Sequence, residues 1–226
     1  MNNIDLIETY FTRIDTSNGR VPLKLRKFQK EVINSTYNKP TMLYHSRQSG
    51  GTTTVVSLAL SHAVLNPNKT AMILSNKLDS VNQIREQLLS TFDPLAALQP
   101  SIEINTKTKV KYSNGSTIHF NSVKSNCLKG IAVDLLIIDN ATFCELDEFL
   151  NSIIPSLNPK QILFTGCKNE NKALDNYIKS KNFNIITVPF YEVEGRDINW
   201  FISQLKALGN DFDILPYSKG ISSTRR

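Results

Sequence analysis

Apolar positions in this 226-residue chain follow two recurring patterns. Short apolar runs at Thr41–His45 (TMLYH), Thr70–Ser75 (TAMILS), 135–139 (LLIID), 161–165 (QILFT) and 184–189 (NIITVP) read as strands, the first buried and 135–139 central in a parallel sheet. Between them lie stretches with helical spacing. Residues 52–66 are apolar almost throughout and stop before Pro67, which cannot continue a helix. In 79–92, Val81, Ile84, Leu88 and Phe92 share one helical face. Residues 145–154, 171–180 and 197–208 read as further helices, with Trp200 expected in the core. Strands alternating with helices predict an α/β domain with a mostly parallel sheet flanked by helices.

One segment breaks that alternation. Residues 109–120 carry two alternating arms around Asn114-Gly115, which predicts a hairpin with both turn residues at positive φ. Lys107, Lys109 and Lys111 fall on one face of the first arm, opposite Val110 and Tyr112.

Composition adds little to the fold and more to the partners. The net charge is +6, and its distribution is uneven. Arg13, Arg20, Lys24, Arg26, Lys27 and Lys30 cluster near the N-terminus, and Lys107, Lys109, Lys111, Lys124 and Lys129 occupy a stretch without acids. Such patches suit a polyanion, although a plain solvated face fits each of them singly. Three cysteines without metal spacing point to a reduced setting, and His45, His62 and His119 are too scattered to form a ligand set. No apolar run reaches membrane-spanning length and the N-terminus lacks a basic lead, so neither membrane insertion nor secretion is expected.

The candidate chemistry sits at two strand ends. His45-Ser46-Arg47-Gln48-Ser49-Gly50-Gly51-Thr52 has the shape of the phosphate-binding pattern G-x-x-x-x-G-K-[ST], with His45 at the first glycine and Gly51 at the lysine. A turn of this kind aims backbone N–H groups at a phosphate at the positive end of a helix. Gly50 and Gly51 would allow close approach, and Thr52 or Thr53 would offer a hydroxyl to Mg²⁺. Four apolar residues ending in Asp139 form the pattern of a Walker B strand, whose acid lies where open α/β sheets bind ligands. Loop, strand and acid in this order predict a P-loop NTPase fold of the RecA/ASCE type.

The ordered set of motifs resembles the N-terminal ATPase domain of the tailed-phage terminase large subunit, the motor that packages DNA. Leu25-Arg26-Lys27-Phe28-Gln29 resembles its adenine-reading segment, and Ser46-Arg47-Gln48-x-Gly50-x-Thr52-Thr53 its S-R-Q-x-G-K-T-T loop. Ile73-Leu74-Ser75-Asn76-Lys77 resembles the strand and lysine after the first helix. Asn114-Gly115-Ser116-x-Ile118 with Lys129-Gly130 resembles its hairpin and R/K-G element. Ile138-Asp139-Asn140-Ala141-x-Phe143 resembles I-D-E-x-A-F, and Phe164-Thr165-Gly166 stands at the coupling motif. The likeness spans residues 23–205.

The resemblance implies nucleotide contacts from Gln29, Ser46, Arg47, Gln48, Ser49, Gly50, Gly51, Thr52 and Thr53. It implies Mg²⁺ held by Thr52 and Asp139 and catalytic roles for Arg47, Thr165 and, in degenerate form, Asn140; Lys107, Lys109, Lys111 and Lys129 are candidate DNA contacts on their charge and spacing. ATP and Mg²⁺ are the implied ligands. The implied partners are terminase subunits, a portal or double-stranded DNA, with oligomerisation, in the host cytoplasm. Residues 1–208 would form the domain, with 1–22 as an N-terminal extension and 209–226 as a flexible tail.

Three departures qualify this. Gly51 removes a phosphate-facing ammonium, worth about 4 kcal/mol at close range in an effective dielectric near 20. Arg47 is the residue placed to compensate, since some terminases carry their basic residue near the loop's start. Asn140 stands at the glutamate position, where loss of a general base costs roughly a hundred- to ten-thousand-fold in rate. Glu145 is five residues on, expected in the first turn of the next helix, where an acid is favourable. No run of strand-end acids follows for an RNase H-like nuclease, so nuclease activity is not expected. The sequence therefore predicts a nucleotide-binding or pseudo-ATPase module. A reduced but active packaging motor is the alternative, and a helicase-like nucleic-acid protein the second.

Overall fold

The computed structural model describes residues 2–15, 17–91, 100–124, 130–167, 171–193 and 195–208. In chain order these form α1 (Asn3–Tyr10), β1 (Thr12–Asp15), β2 (Gly19–Pro22), α2 (Lys27–Asn38), β3 (Thr41–His45), α3 (Gly51–Leu65), β4 (Thr70–Ser75) and α4 (Leu78–Thr91). There follow β5 (Ile102–Asn105), β6 (Lys109–Tyr112), β7 (Thr117–Ser122), β8 (Leu135–Ile138), α5 (Ile154–Leu157), β9 (Gln161–Gly166), α6 (Lys172–Ser180), β10 (Asn184–Val188) and α7 (Ile198–Leu208). Eight strands make one sheet in the order β10-β3-β9-β8-β4-β7-β6-β5, and β1 and β2 pair separately. From β10 to β7 every pairing is parallel, and β6 and β5 add an antiparallel edge.

Strand alternation sorts the core into two layers. Leu43, Ile73, Leu135, Ile137 and Leu163 face the side covered by α1 to α4. Met42, Met72, Leu74, Leu136, Ile138, Ile162 and Phe164 face the side covered by Phe149, Leu150, Ile154, Leu157, Leu174 and Ile178. The α/β class and mostly parallel sheet expected from the sequence are what the chain forms. α3 lies buried along most of its length, with α1, α2, α4 and the sheet around it, which is why its sequence shows no polar stripe.

Four local features differ from, or add to, the sequence reading. The segment before Leu23, read as an extension, contributes Leu6, Ile7 and Phe11 to the core. At the β6–β7 turn only Gly115 takes positive φ (+81°). Asn114 instead spends its amide on the end of α3, donating to Ala63 O (2.9 Å) and accepting from Ser116 N (3.0 Å). The helix expected over 145–154 is a π-helical turn, Phe149–Ile153, running into α5. Pro155 explains the wide turn: it has no N–H to return to Asn151 and its ring would crowd that carbonyl. Glu145 precedes this helix; its side chain is 84% exposed and pairs with Lys124 at 2.9 Å. Phe92, Cys127, Lys129 and the tail 209–226 lie outside the described residues.

Candidate functional site: a bracketed loop at the sheet's rim

β3, β9 and β8 are adjacent and parallel, so the loop after β3, Thr165 near the end of β9 and Asp139 after β8 all meet at one rim. Interposing β9 between the loop strand and the acid strand is what lets a single β9 residue touch the acid.

The loop folds tightly. Gly50, the residue before α3, has φ +104°, a conformation that costs a residue with a side chain. Its carbonyl accepts three bonds of 3.0 Å, from Thr54 N, Thr54 Oγ1 and Gln29 Nε2. Gln29 Oε1 accepts in turn from Arg26 N (2.8 Å), so this 3%-exposed amide ties the start of α2 to the loop. Two guanidinium groups bracket the loop. Arg26 Nη1 donates to Ser49 O, and Arg196 Nη1 donates to Arg47 O (2.8 Å) and Ser46 Oγ (3.3 Å). Arg196 lies 4.6 Å from the Trp200 ring centroid, and Trp200 stacks on Phe190, so the expected core tryptophan is a half-buried prop for this arginine. Ser46 and Ser49 are buried, whereas Arg47 and Gln48 are exposed at the crown.

Beneath the crown lies the ring of His45. Its Nδ1 is 2.9 Å from Ser46 O and 3.1 Å from Ser49 Oγ, and its Nε2 is buried with no hydrogen-bond partner. A carbonyl only accepts, so Nδ1 carries the proton and Nε2 the lone pair. Burial holds the imidazole below its ordinary pKa, against the pull of the nearby Asp139 carboxylate. The ring rests on Gly51: a Cβ there would sit 2.3 Å from Nε2 and 2.4 Å from Cε1.

Asp139 is 3% exposed. Its Oδ1 accepts from Thr165 Oγ1 (2.7 Å) and its Oδ2 from Asn140 Nδ2 (2.9 Å). Asn140 N donates to Thr165 Oγ1 (3.3 Å), and Asn140 itself takes φ +56°, which asparagine tolerates better than most residues. Burial raises the Asp139 pKa, opposed by the Thr165 bond and by His45. Cys144, whose thiol donates to Asn140 O, is pushed up to about 12 by burial, far from a reactive thiolate.

The structure thus brings together Gln29, the loop residues 46–53, Asp139, Asn140 and Thr165 at one rim. Thr52 and Thr53 are half-buried on the first turn of α3, with Thr53 Oγ1 accepting from Gln87. Glu145, paired with Lys124, is not held by the Asp139–Asn140 pair. Three of the candidate DNA lysines, Lys107, Lys109 and Lys111, lie at the antiparallel edge of the sheet. Lys107 is exposed, Lys109 is half-buried, Lys111 pairs with Glu103 (2.8 Å), and Lys129 lies outside the described residues. Beside the loop, Arg13, Lys24, Arg26, Gln29, Gln48 and Thr53 line a cavity of about 520 Å³. Sequence reasoning missed Arg196 and the ring of His45. The first had no local signal, and the second was visible only as a bulky residue at a glycine position. Among the described residues no group of three or more His, Cys, Asp or Glu side chains could hold a metal, and no helix is long and apolar enough to cross a membrane.

Comparison with known proteins agrees with this fold. The family described as terminase large subunit, T4likevirus-type, N-terminal, matches residues 42–156. Among solved structures, the large terminase ATPase domain of Thermus phage P74-26 superposes with a TM-score of 0.70 at 14% identity, covering 86% of this chain and 92% of that one. The HK97 bacteriophage large terminase gives 0.67 at 18% identity, over 93% of this chain and 48% of that one. The large terminase of a thermophilic bacteriophage in complex with ATP-gamma-S gives 0.57 at 11% identity, over 88% and 50%. The chain spans about half the length of these last two.

Proposed function

This chain belongs to the T4likevirus-type terminase large subunits, matched over their N-terminal part, and from that premise we propose that it serves phage DNA packaging as a nucleotide-binding or pseudo-ATPase module with weak or no hydrolysis. The bond from Asn140 Nδ2 to Asp139 Oδ2 (2.9 Å) carries this reading. At the position of the general base stands an amide, which cannot take a proton from water, and that amide is already committed to its neighbour.

Phosphates fit the loop, because the first-turn N–H groups of α3 have no acceptor within the helix. Magnesium would be held by the Thr52 hydroxyl and, through water, by the Asp139 carboxylate that Thr165 and Asn140 orient. The bound metal would neutralise phosphate charge. Thr165 and Asn140 hold the carboxylate in place, and Gln29 holds the loop's Gly50 corner. The complex of a similar terminase with ATP-gamma-S supports a nucleotide as the ligand of this fold.

Calorimetric titration with Mg-ATP, paired with a phosphate-release assay with and without DNA and portal, tests the reading. Binding with release near background is expected, and turnover at motor-like rates would end it. The second reading, a reduced but active motor, draws on the two arginines that bring positive charge to a loop without lysine. The partners proposed are other terminase subunits, a portal or double-stranded DNA. For DNA, neutralising Lys107 and Lys109 should shallow the salt dependence of binding. An unchanged slope discards the lysine edge as a DNA contact.

A further inference from the structure

We propose that His45 and Gly51 form one coupled unit in which the imidazole occupies the space of the missing lysine, so that His45 decides which residues position 51 can hold. The proposal rests on the pseudo-ATPase reading for the identity of the ligand, but not for the steric coupling.

Three observations meet at this pair. The ring's Nε2 and Cε1 lie 2.3 and 2.4 Å from where a Cβ on residue 51 must be. Separations under 3 Å force something to move, and neither side moves cheaply. Gly51 is the first residue of a buried helix, and the ring is held by Ser46 O (2.9 Å) and Ser49 Oγ (3.1 Å) at Nδ1. The ring's other nitrogen is buried and makes no hydrogen bond, although the interior normally satisfies such an atom. The ring therefore sits there because the space is available, and the space is available because residue 51 has no side chain. In the pattern G-x-x-x-x-G-K the first position is glycine and the seventh is lysine. Here a bulky residue at the first accompanies glycine at the seventh, which exchanges the two side chains across one small volume. Restoring lysine at 51 alone would thrust its stem into the imidazole. The ring would have to leave its two contacts and rotate into the loop's interior, where a phosphate would sit.

The test compares wild type, Gly51→Lys, His45→Gly and the double variant by thermal melting and by Mg-ATP titration. Gly51→Lys should melt several degrees below wild type and bind Mg-ATP no more tightly. The double variant should recover most of that melting loss and bind Mg-ATP about tenfold or more tighter than Gly51→Lys, a gain that repacking alone would not supply. If Gly51→Lys melts with wild type and binds as tightly as the double variant, the coupling does not exist. Should the lysine variant fail to fold, Gly51→Ala probes the clash with one carbon. It should lower the melting temperature in the native background and not in His45→Ala, and equal effects in both backgrounds overturn the proposal. Rapid phosphate release by wild type would end the pseudo-ATPase reading and leave these melting comparisons to judge the pair.

Discussion

The hydroxyl of Thr165 donates to Asp139 Oδ1 at 2.7 Å, joining the middle strand of the site to the acid of its neighbour with both side chains out of solvent. A buried carboxylate that loses a donor keeps its desolvation cost. Thr165→Val should therefore destabilise the protein by about 2 kcal/mol, and Thr165→Ser by much less. Urea unfolding of the three proteins decides it; a valine variant as stable as wild type would show that the bond does not hold the acid.

Reverting the neighbouring position should be costly. Asn140→Glu exchanges a donated bond to a charged group for a second carboxylate, and places glutamate at φ +56°. The two effects sum to about 2–4 kcal/mol of destabilisation. Phosphate release should stay near background in this variant. A stable, hydrolytically competent Asn140→Glu protein would mean that one substitution had disabled an otherwise intact site.

His62 should make the fold acid-sensitive. It is 4% exposed within α3, and burial depresses its pKa to about 4 from an ordinary 6.5. A depressed folded value means the protein is fully stabilised above pH 6.5 and loses that contribution as pH falls toward 4. The loss is about 3 kcal/mol, order of magnitude. His62→Phe, which keeps a ring beside Tyr37, should flatten the acid limb of the stability curve by that amount. A residual slope will remain, because burial shifts His45 and His119 the same way. An acid limb unchanged by the substitution would remove His62 from the account.

The chain's one tryptophan reports on the loop. Arg196 lies over Trp200 while donating to Arg47 O. Arg196→Ala should change the Trp200 emission at a stability cost of about 1 kcal/mol or less, as expected of a partly exposed contact. An identical spectrum would show that the stacking is not maintained in solution.

The parts legible in the sequence are those where one local signal dominates. β3, β4, β8 and β9 are apolar runs because both faces are covered, and such runs need no knowledge of their neighbours. β5 carries no local signal because all four of its residues are exposed, which leaves no alternation to read. α1 is not legible locally because its apolar positions make sense only against α3. At the site, Gly50, Gly51 and Asp139 could be identified from residue type and order. That Asn140 turns its amide onto Asp139, or that the His45 ring lies over Gly51, depends on backbone angles and rotamers that tertiary packing selects. Arg196 reaches the loop from the far end of the sequence, beyond any window of local reading.

The two arginines on the loop come from segments far apart in the sequence, one at the mouth of α2 and one just ahead of α7. The loop therefore fastens the start of α2 to the segment that leads into α7. A ligand seated in the loop would bear on both of these segments at once.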